Sequence, residues 1–429
     1  MLDDYALELW VRLGSEGKAP TDISRANDAL NAYSVGIDHW IDRLSRTYFE
    51  RLCKNNAHFK LVIAPYGGGK THFLVSLGAR ALKENYAVSY IACTDNIRFD
   101  NAFEIYRAFI GSLTLPAYHE PGLNTLLNDG IIAHKHNLIR EKAADPEAAM
   151  DMWIGTLFTK EYPEPSFGRV AAAALRELID PEGARTGDAA RRWLRGEIDT
   201  LTKDERSLLR VSNIPAKERS DFGRRMLLSM AKFVKEAGLN GVTILFDEVE
   251  TLFNAKGKAL LRVLSAMRVL IDLPMGIAGG APLFAAFSAV PDVLEQFPKY
   301  PALQQRLAVA GASFAEGNDL APQLDLGALG SQRDLLKSIG QKLVLLGERA
   351  RDVTFDRNLQ YGNIERLAAV ADERDLDINA RRLFVKACVT ILDQQVSNGE
   401  RVYSEAELRE RYRGSFDHIK DNDPEDFEL

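Results

Sequence analysis

The sequence predicts an α/β fold of three layers, in which helices cover both faces of a central parallel sheet. Strands that are buried on both faces read as nearly continuous apolar runs, and the chain contains four such runs. They are KLVIA (60–64), YAVSYIACTD (86–95), GVTILFDEVETLF (241–253) and PLFAAFSAV (282–290). Segments with apolar residues at three- and four-residue spacing, which is typical of helices, lie between them. We therefore expect strands and helices to alternate through the core.

Helical periodicity outside these runs predicts the remaining organisation of the chain. Residues 1–35 form an N-terminal helical extension, and the core spans residues 36–315. Within the core, residues 100–235 are almost entirely helical in pattern, which predicts a large helical insertion. Residues 316–400 suit a small all-helical lid domain, and residues 401–429 suit a last helix and an acidic tail.

Length, composition and charge exclude several classes of protein. With 429 residues, 46% of them hydrophobic and 27% charged, the chain is long enough for a principal domain and a smaller one. Its net charge of -7 argues against a surface that is basic along the whole chain. The three cysteines show no CxxC pairing, so they predict neither a disulfide framework nor a zinc site. We expect no signal peptide and no membrane span, and therefore a cytoplasmic protein of a prokaryote.

The stretch APYGGGKT (64–71) has the spacing of a phosphate-binding P-loop, the Walker A motif, with Ala64 in place of the first glycine. Glycines let successive backbone N–H groups turn towards phosphates, and the N-terminus of the following helix favours negative charge. Lys70 would reach the β- and γ-phosphates of ATP, and the Thr71 hydroxyl would bind Mg²⁺. An ordinary glycine turn is the alternative. The predicted nucleotide-binding residues are Tyr66, Gly67, Gly68, Gly69, Lys70, Thr71 and His72.

A second motif, VTILFDEVE, predicts the other half of a hydrolytic site. It is an apolar strand that ends in Asp247 and Glu248, as a Walker B motif does. Asp247 would hold Mg²⁺ through water, and Glu248 would polarise the water that attacks the γ-phosphate. Acidic pairs also occur as helix N-caps or in solvated loops, but the P-loop favours the catalytic interpretation. For Glu250 we expect no chemical role.

Glutamate directly after this aspartate is the mark of the additional-strand P-loop ATPases. Resemblance to them implies a strand between the P-loop strand and the Asp247 strand, ending in a polar sensor. The run PLFAAFSAV fits, with Ser288 as the sensor, although a hydroxyl that is satisfied within the strand is an alternative.

Two arginines also match positions that matter in AAA+ ATPases. Arg306 follows the Ser288 run, where related oligomeric ATPases place an arginine finger that acts on a neighbouring subunit. It could equally be a surface helix residue. Arg381, with Arg382 as the spare, resembles the sensor-2 arginine that reaches the nucleotide from the lid. A solvated arginine is the alternative for both.

Four segments together resemble a narrower family. They are PYGGGKTHFL, RRWLRGEIDTLTKDERSLLRV (191–211), GLNGVTILFDEVETLF and YPALQQRLA. These segments look like those of the ATP-binding proteins of BREX-type phage-defence systems, an AAA+-like family related to the origin-recognition ATPases. The resemblance covers about residues 36–395. Pro65 departs from the pattern, and Gly68 stands where a small residue is tolerated, but neither removes a phosphate-binding amide. The resemblance implies ATP binding and an accessory role in defence against foreign DNA.

We therefore predict a Mg²⁺-dependent ATPase that acts as an AAA+-like switch or motor in an antiphage complex, with turnover that partners could stimulate. Expected partners are ATP or ADP, further copies of the chain with the ATP site at the subunit interface, and other defence proteins. Two alternatives stay open: a nucleotide-dependent scaffold with little turnover, and an origin-recognition-like DNA loader, although no C-terminal winged-helix domain is evident. Runs such as ARRWLR and GRR in the insertion allow DNA contact, but such runs are usually solvated helix faces.

Overall fold

A computed structural model shows the predicted sheet at the centre of the chain. The structure describes residues 4–17, 23, 33–93, 97–116, 120–140, 145–180, 186–254, 257–272, 281–307, 313–328, 331–372 and 380–417. Within them, the strands are β1 (Ala57–Ile63), β2 (Tyr86–Ala92), β3 (Leu113–Thr114), β4 (Gly241–Asp247), β5 (Leu283–Ala289) and β6 (Gln323–Asp325). Their order across the sheet is β3-β2-β4-β5-β1-β6. All neighbouring strands are parallel except β2 and β3.

The strand order confirms the predicted extra strand. β5 lies between β1, which leads into the P-loop, and β4, which ends at Asp247. Every residue of β4 and of β5 is buried, and this explains why both read as uninterrupted apolar runs. Because parallel strands have their carboxyl ends at one edge of the sheet, the ends of β1, β4 and β5 meet there.

Helices cover both faces of the sheet, as the predicted three-layer α/β fold requires. Alternate residues of each strand face opposite sides, and the buried side chains accordingly divide into two cores. The helices are α1 (Asp4–Glu16), α2 (Asp38–Leu44), α3 (Lys70–Lys83), α4 (Ala102–Gly111), α5 (Leu123–Arg140), α6 (Pro146–Thr156), α7 (Phe167–Ile179), α8 (Gly187–Leu194), α9 (Lys203–Leu209), α10 (Arg219–Glu236), α11 (Lys258–Asp272), α12 (Pro301–Leu307), α13 (Gln332–Arg351), α14 (Arg357–Asp372), α15 (Ala380–Asn398) and α16 (Glu405–Asp417).

The two cores differ in the helices that build them. The large helical insertion, α4 to α10 between β2 and β4, contributes to one core together with α11 and α12. The other core contains buried residues of α2 and α3, of the N-terminal helix α1 and of the C-terminal helices α13 to α16. The P-loop helix therefore shares its core with the helices predicted to form the lid.

The N-terminal helix packs directly on this C-terminal layer. α1 lies against α13 and α15. Trp10 is fully buried, and its indole N–H donates to an Asp393 carboxylate oxygen at 2.8 Å. Arg351 donates to both oxygens of the same carboxylate, each at 2.8 Å. The indole bond therefore joins α1 to α15, and the ion pair holds the Asp393 carboxylate from α13. In the part of the chain that the structure describes, no helix has the length and apolarity that a membrane crossing requires.

Candidate nucleotide-binding site

The glycine-rich loop joins the end of β1 to the start of α3. Gly67 and Gly69 have φ angles of +69° and +90°, in the left-handed region that glycine adopts without strain. Gly68 donates its N–H to the Pro65 carbonyl oxygen at 3.0 Å. A Cβ atom at Gly68 would lie 2.7 Å from the Cβ of Ala64 and 2.8 Å from the Pro65 oxygen. The expectation that a small residue is tolerated at position 68 is therefore wrong in this conformation, because the preceding turn fills the space.

Lys70 begins α3 and points back over the loop. Its ammonium group donates to the carbonyl oxygens of Ala64, at 3.2 Å, and Pro65, at 3.3 Å. The ring of Tyr66, which is 50% exposed, lies 5.0 Å from the same nitrogen. A carboxylate oxygen of Glu250 is 3.5 Å away. The sequence predicts no role for Glu250, yet the structure places it against Lys70 in the wall of the cavity.

Asp247 is the hydrogen-bonding centre of the site. Its side chain accepts from the Thr71 hydroxyl at 2.6 Å, from the Tyr90 hydroxyl at 2.5 Å and from the Ser288 hydroxyl. The backbone N–H of Glu248 donates to it as well, at 3.0 Å. Asp247 is only 1% exposed, and these four donors fix the direction of its carboxylate. The structure thus brings together residues of both predicted motifs, which lie 176 positions apart.

Ser288 and Tyr90 reach Asp247 from the two strands beside β4. Ser288 lies at the predicted sensor position, and its hydroxyl bonds to the carboxylate; its role as a sensor stays a prediction. Sequence reasoning missed Tyr90, which belongs to no motif. Burial and the neighbouring Asp247 raise the pKa of Tyr90, so its hydroxyl keeps its proton and acts as a donor. Its hydroxyl is one of three in β2, with those of Tyr86 and Ser89, so the sequence does not single it out.

Glu248 turns away from the sheet immediately after β4. Its φ angle is +56°, which a residue other than glycine adopts at a cost of about 1–3 kcal/mol. The hydrogen bond of its N–H to Asp247, with a second contact to the Ser288 hydroxyl at 3.3 Å, holds this conformation. The side chain is exposed and lines the cavity, where a water molecule could meet it.

The cavity has a volume of about 410 Å³, within the range of small-molecule sites. The loop, Asp247, Glu248 and Glu250 line its polar end. A second group of lining residues, here called the apolar end, is aliphatic or aromatic. Sequence reasoning missed this group because its residues come from α1, from residues 33–37, from α13 and from α15. They are Leu13, Tyr33, Val35, Ile37, Leu335, Ile339 and Val385.

Arg381 connects α15 to the glycine-rich loop. One of its guanidinium N–H groups donates to the Gly68 carbonyl oxygen at 2.5 Å. Burial lowers the pKa of Arg381. Arg382 also lines the cavity. Arg381 therefore lies where the sensor-2 interpretation requires it, and a role towards nucleotide stays a prediction.

His72, the last of the predicted loop residues, lines the cavity and also ties the P-loop helix to residues 33–34. Its Nε2 atom is 2.7 Å from the Ser34 hydroxyl, and the Tyr33 ring is 5.0 Å from the imidazole. Burial, with the nearby charge of Lys342, lowers the pKa of His72 to about 4. The side chain is therefore neutral near pH 7.

Arg306 lies apart from these groups. It sits on α12, where it pairs with Asp272 at the end of α11 and donates to the Ala302 carbonyl oxygen at 2.8 Å. It is absent from the described residues that line the cavity. The role of Arg306 as an arginine finger towards a neighbouring subunit stays a prediction.

The polar end of the cavity fits Mg²⁺. This ion prefers oxygen ligands and often takes one or two carboxylates together with phosphate oxygens. Asp247 and Thr71 supply a carboxylate and a hydroxyl 2.6 Å apart. Among the described residues, no group of three or more His, Cys, Asp or Glu side chains could hold a metal by itself. Water and phosphate oxygens would supply the further ligands of a Mg²⁺ ion at this site.

The basic runs of the insertion are paired with carboxylates. Side chains in both ARRWLR and GRR make ion pairs with acidic neighbours, which reduces the positive charge that they offer to DNA. The pairs are Arg191–Glu177, Arg192–Glu205, Arg195–Glu197, Arg224–Asp221 and Arg225–Glu164.

Comparisons with known proteins bear on the family and on the fold. A family model described as "BREX system ATP-binding protein BrxC/D" matches residues 27–410. No curated protein matches the chain. The chain is similar to a solved structure described as "Structure of the Aeropyrum Pernix ORC2 protein (ADPNP-ADP complexes)", with 11% identity and a TM-score of 0.44. That match covers 88% of this chain and 67% of the other.

Proposed function

The chain belongs to the family of BREX system ATP-binding proteins BrxC/D, and on this premise we propose that it binds and hydrolyses ATP with Mg²⁺ in a phage-defence complex. The observation that carries the proposal is the hydrogen bond between Thr71 and Asp247 at the wall of the cavity. It joins the glycine-rich loop to the acidic strand end, the two parts that phosphoryl transfer needs in one place.

Each side chain and loop amide at the polar end has a role in this reaction. The amides of the loop and Lys70 bind the β- and γ-phosphates. Thr71 and Asp247 would hold Mg²⁺, which would offset the charge of the phosphates. The exposed carboxylate of Glu248 orients the attacking water and accepts its proton. Tyr90 and Ser288 are positioning residues, because both act through Asp247.

The apolar end of the cavity suits the base of the nucleotide. Aliphatic side chains and the Tyr33 ring offer an apolar surface to a purine, and they belong to α1, to residues 33–37 and to the C-terminal helices. A bound nucleotide would therefore contact the loop and the helices predicted as the lid. Arg381 already links the two through Gly68.

The first test separates binding from turnover. Lys70→Ala is expected to abolish binding of a fluorescent ATP analogue, because it removes the charged partner of the phosphates. Glu248→Gln is expected to bind ATP as the wild type does and to lose phosphate release, by about a hundredfold or more for the loss of a general base.

Lys217→Ala is the matched control for the lysine change. Lys217 lies in the insertion, 82% exposed in its side chain, and both measurements should equal those of the wild type. Equal rates of phosphate release from wild type and Glu248→Gln would contradict the proposed mechanism.

A nucleotide-dependent scaffold is the second candidate, and the insertion favours it. Helices α4 to α10 form a large layer on the face of the sheet away from the P-loop helix, where they could recruit defence proteins or DNA. Phosphate release measured with and without DNA distinguishes the two functions, since a scaffold gives no turnover in either case.

A cytoplasmic place of action and the domain boundaries at residues 35, 315 and 400 remain part of the proposal.

A further inference from the structure

Glu250 places a buried carboxylate beside the lysine of the P-loop, and the reaction described above does not use it. It lies on the 3-10 helix Val249–Asn254, immediately after β4. Its Oε1 atom is 3.5 Å from the Lys70 ammonium, and both side chains are only 8% exposed. Its Oε2 atom is buried and accepts no hydrogen bond from the described residues. A buried carboxylate oxygen without a hydrogen-bond donor destabilises the folded chain. The nearby ammonium group of Lys70 offsets the charge of this carboxylate.

The ammonium group of Lys70 contacts three oxygen atoms of the chain itself. It has three N–H donors, and it contacts the oxygens of Ala64, Pro65 and Glu250. A phosphate can take a donor from Lys70 only when one of these contacts is released. Two of them are carbonyl groups of the loop that carries Lys70. Glu250 belongs to a different segment and carries a negative charge, and both features distinguish it from the two carbonyl contacts.

Charge at the polar end of the cavity opposes the sharing of Lys70 by Glu250 and a phosphate. Asp247 and Glu248 already make the surroundings of Glu250 acidic, and a di- or triphosphate adds several more negative charges. Like charges that share one cation repel each other, and the repulsion is strong where water is excluded. Burial raises the pKa of Glu250 and Lys70 opposes this shift, so Lys70 stabilises the charged form of the carboxylate.

We propose that Glu250 is an internal counter-ion of Lys70 that competes with the β- and γ-phosphates, so that nucleotide binding transfers Lys70 from carboxylate to phosphate. This inference rests on the proposed binding of ATP at the glycine-rich loop. Glu250 is then a positioning residue that lowers the affinity for di- and triphosphates. Nucleosides with a single phosphate escape the competition, because they have no β-phosphate for Lys70.

The exchange also changes what holds the segment after β4. Thr251, next to Glu250, donates to the carbonyl oxygens of Cys93 and Glu248. The segment packs on α11, whose last residue, Asp272, pairs with Arg306. Glu250 therefore lies on a segment that contacts α11, the helix whose Asp272 pairs with Arg306.

Glu250→Gln tests the competition directly. Titration with fluorescent analogues of ATP, ADP and AMP, at fixed Mg²⁺ and salt, is expected to give a Kd about tenfold lower for ATP and ADP, a change of about 1.4 kcal/mol, and an unchanged Kd for AMP. Glu248→Gln is the matched control, since it removes the same charge from the same cavity without contacting Lys70. An equal fall in the Kd for ATP and ADP in both variants, or no fall in Glu250→Gln, would overturn the proposal.

A second measurement tests the pair without nucleotide. Lys70→Met should lower the melting temperature, because it leaves the Glu250 carboxylate buried without a cation, and Glu250→Gln added to it should restore part of the loss. Additive effects of the two changes would show that the residues do not pair and would overturn the inference. A wild-type protein that binds no nucleotide would instead overturn the proposed function and the competition, while this cycle still reports on the pair.

Discussion

Three hydroxyl groups, from Thr71, Tyr90 and Ser288, converge on the carboxylate of Asp247. The sequence predicts two of them, because Thr71 belongs to the P-loop motif and Ser288 to the predicted sensor strand. Tyr90 could not be predicted, since it reaches Asp247 only through the register of β2 and β4, in which it pairs with Leu245. Local motifs therefore predict the residues at strand ends, whereas contacts across the sheet depend on the strand order.

Tyr90→Phe is expected to raise the Mg²⁺ concentration that ATP turnover requires and to lower the rate about tenfold at limiting Mg²⁺. The change removes one hydrogen bond to a charged carboxylate, a bond that contributes roughly 1.5–3 kcal/mol, and it leaves Asp247 less firmly oriented. Phosphate release measured across a Mg²⁺ titration gives both quantities.

Tyr86→Phe provides the comparison for Tyr90. It lies on the same strand and loses a hydrogen bond of 2.7 Å to the Phe49 carbonyl oxygen, far from Asp247. It should lower the melting temperature without changing the Mg²⁺ requirement. The same Mg²⁺ curve for both variants would show that Tyr90 only stabilises the fold.

At the scale of elements, the sequence predicts the four long strands and misses β3 and β6. β4 and β5 have seven buried residues each, enough for an apolar run to be visible. β3 and β6 have two and three residues, which is too short for any periodicity. The position of α1 could not be predicted either. The amphipathic pattern of a helix shows which face is buried but not which element packs against that face.

Trp10→Ala tests whether α1 supports the cavity. The indole packs beside Gly347, where a Cβ would lie 2.8 Å from the ring, and Leu13 of the same helix lines the cavity. We expect a loss of about 3–5 kcal/mol in the free energy of unfolding and weaker ATP binding, because the apolar end loses one wall. Chemical denaturation and nucleotide titration measure the two effects.

Val11→Ala is the control on the same helix. Val11 is 56% exposed, so its truncation should change stability by less than about 0.5 kcal/mol. Trp10→Phe keeps most of the packing and loses the bond to Asp393, which makes it the milder variant if Trp10→Ala unfolds. Unchanged ATP affinity in a folded but destabilised Trp10 variant would limit α1 to a structural role.

At the scale of the whole molecule, the cavity joins distant parts of the chain. Leu13 lies near one end of the sequence and Val385 near the other, yet both line the space above the glycine-rich loop. The C-terminal layer therefore closes the side of the cavity that the sheet leaves open. Arg306, by contrast, sits on α12 with Asp272 and is absent from the described lining residues.

Arg306→Ala is expected to keep ATP binding and to reduce turnover about a thousandfold or more, the usual contribution of an arginine finger. Arg268→Ala is the matched control, since Arg268 pairs with the same Asp272 carboxylate and should change turnover little. If Arg306 acts on a neighbouring subunit, mixing Arg306→Ala with Lys70→Ala, each inactive alone, should restore phosphate release, because one variant supplies an intact loop and the other an intact arginine. A different outcome is that mixed assemblies recover no phosphate release while dilute single chains of the wild type hydrolyse ATP at the full rate. Arg306 would then act within its own chain or take no part in the reaction.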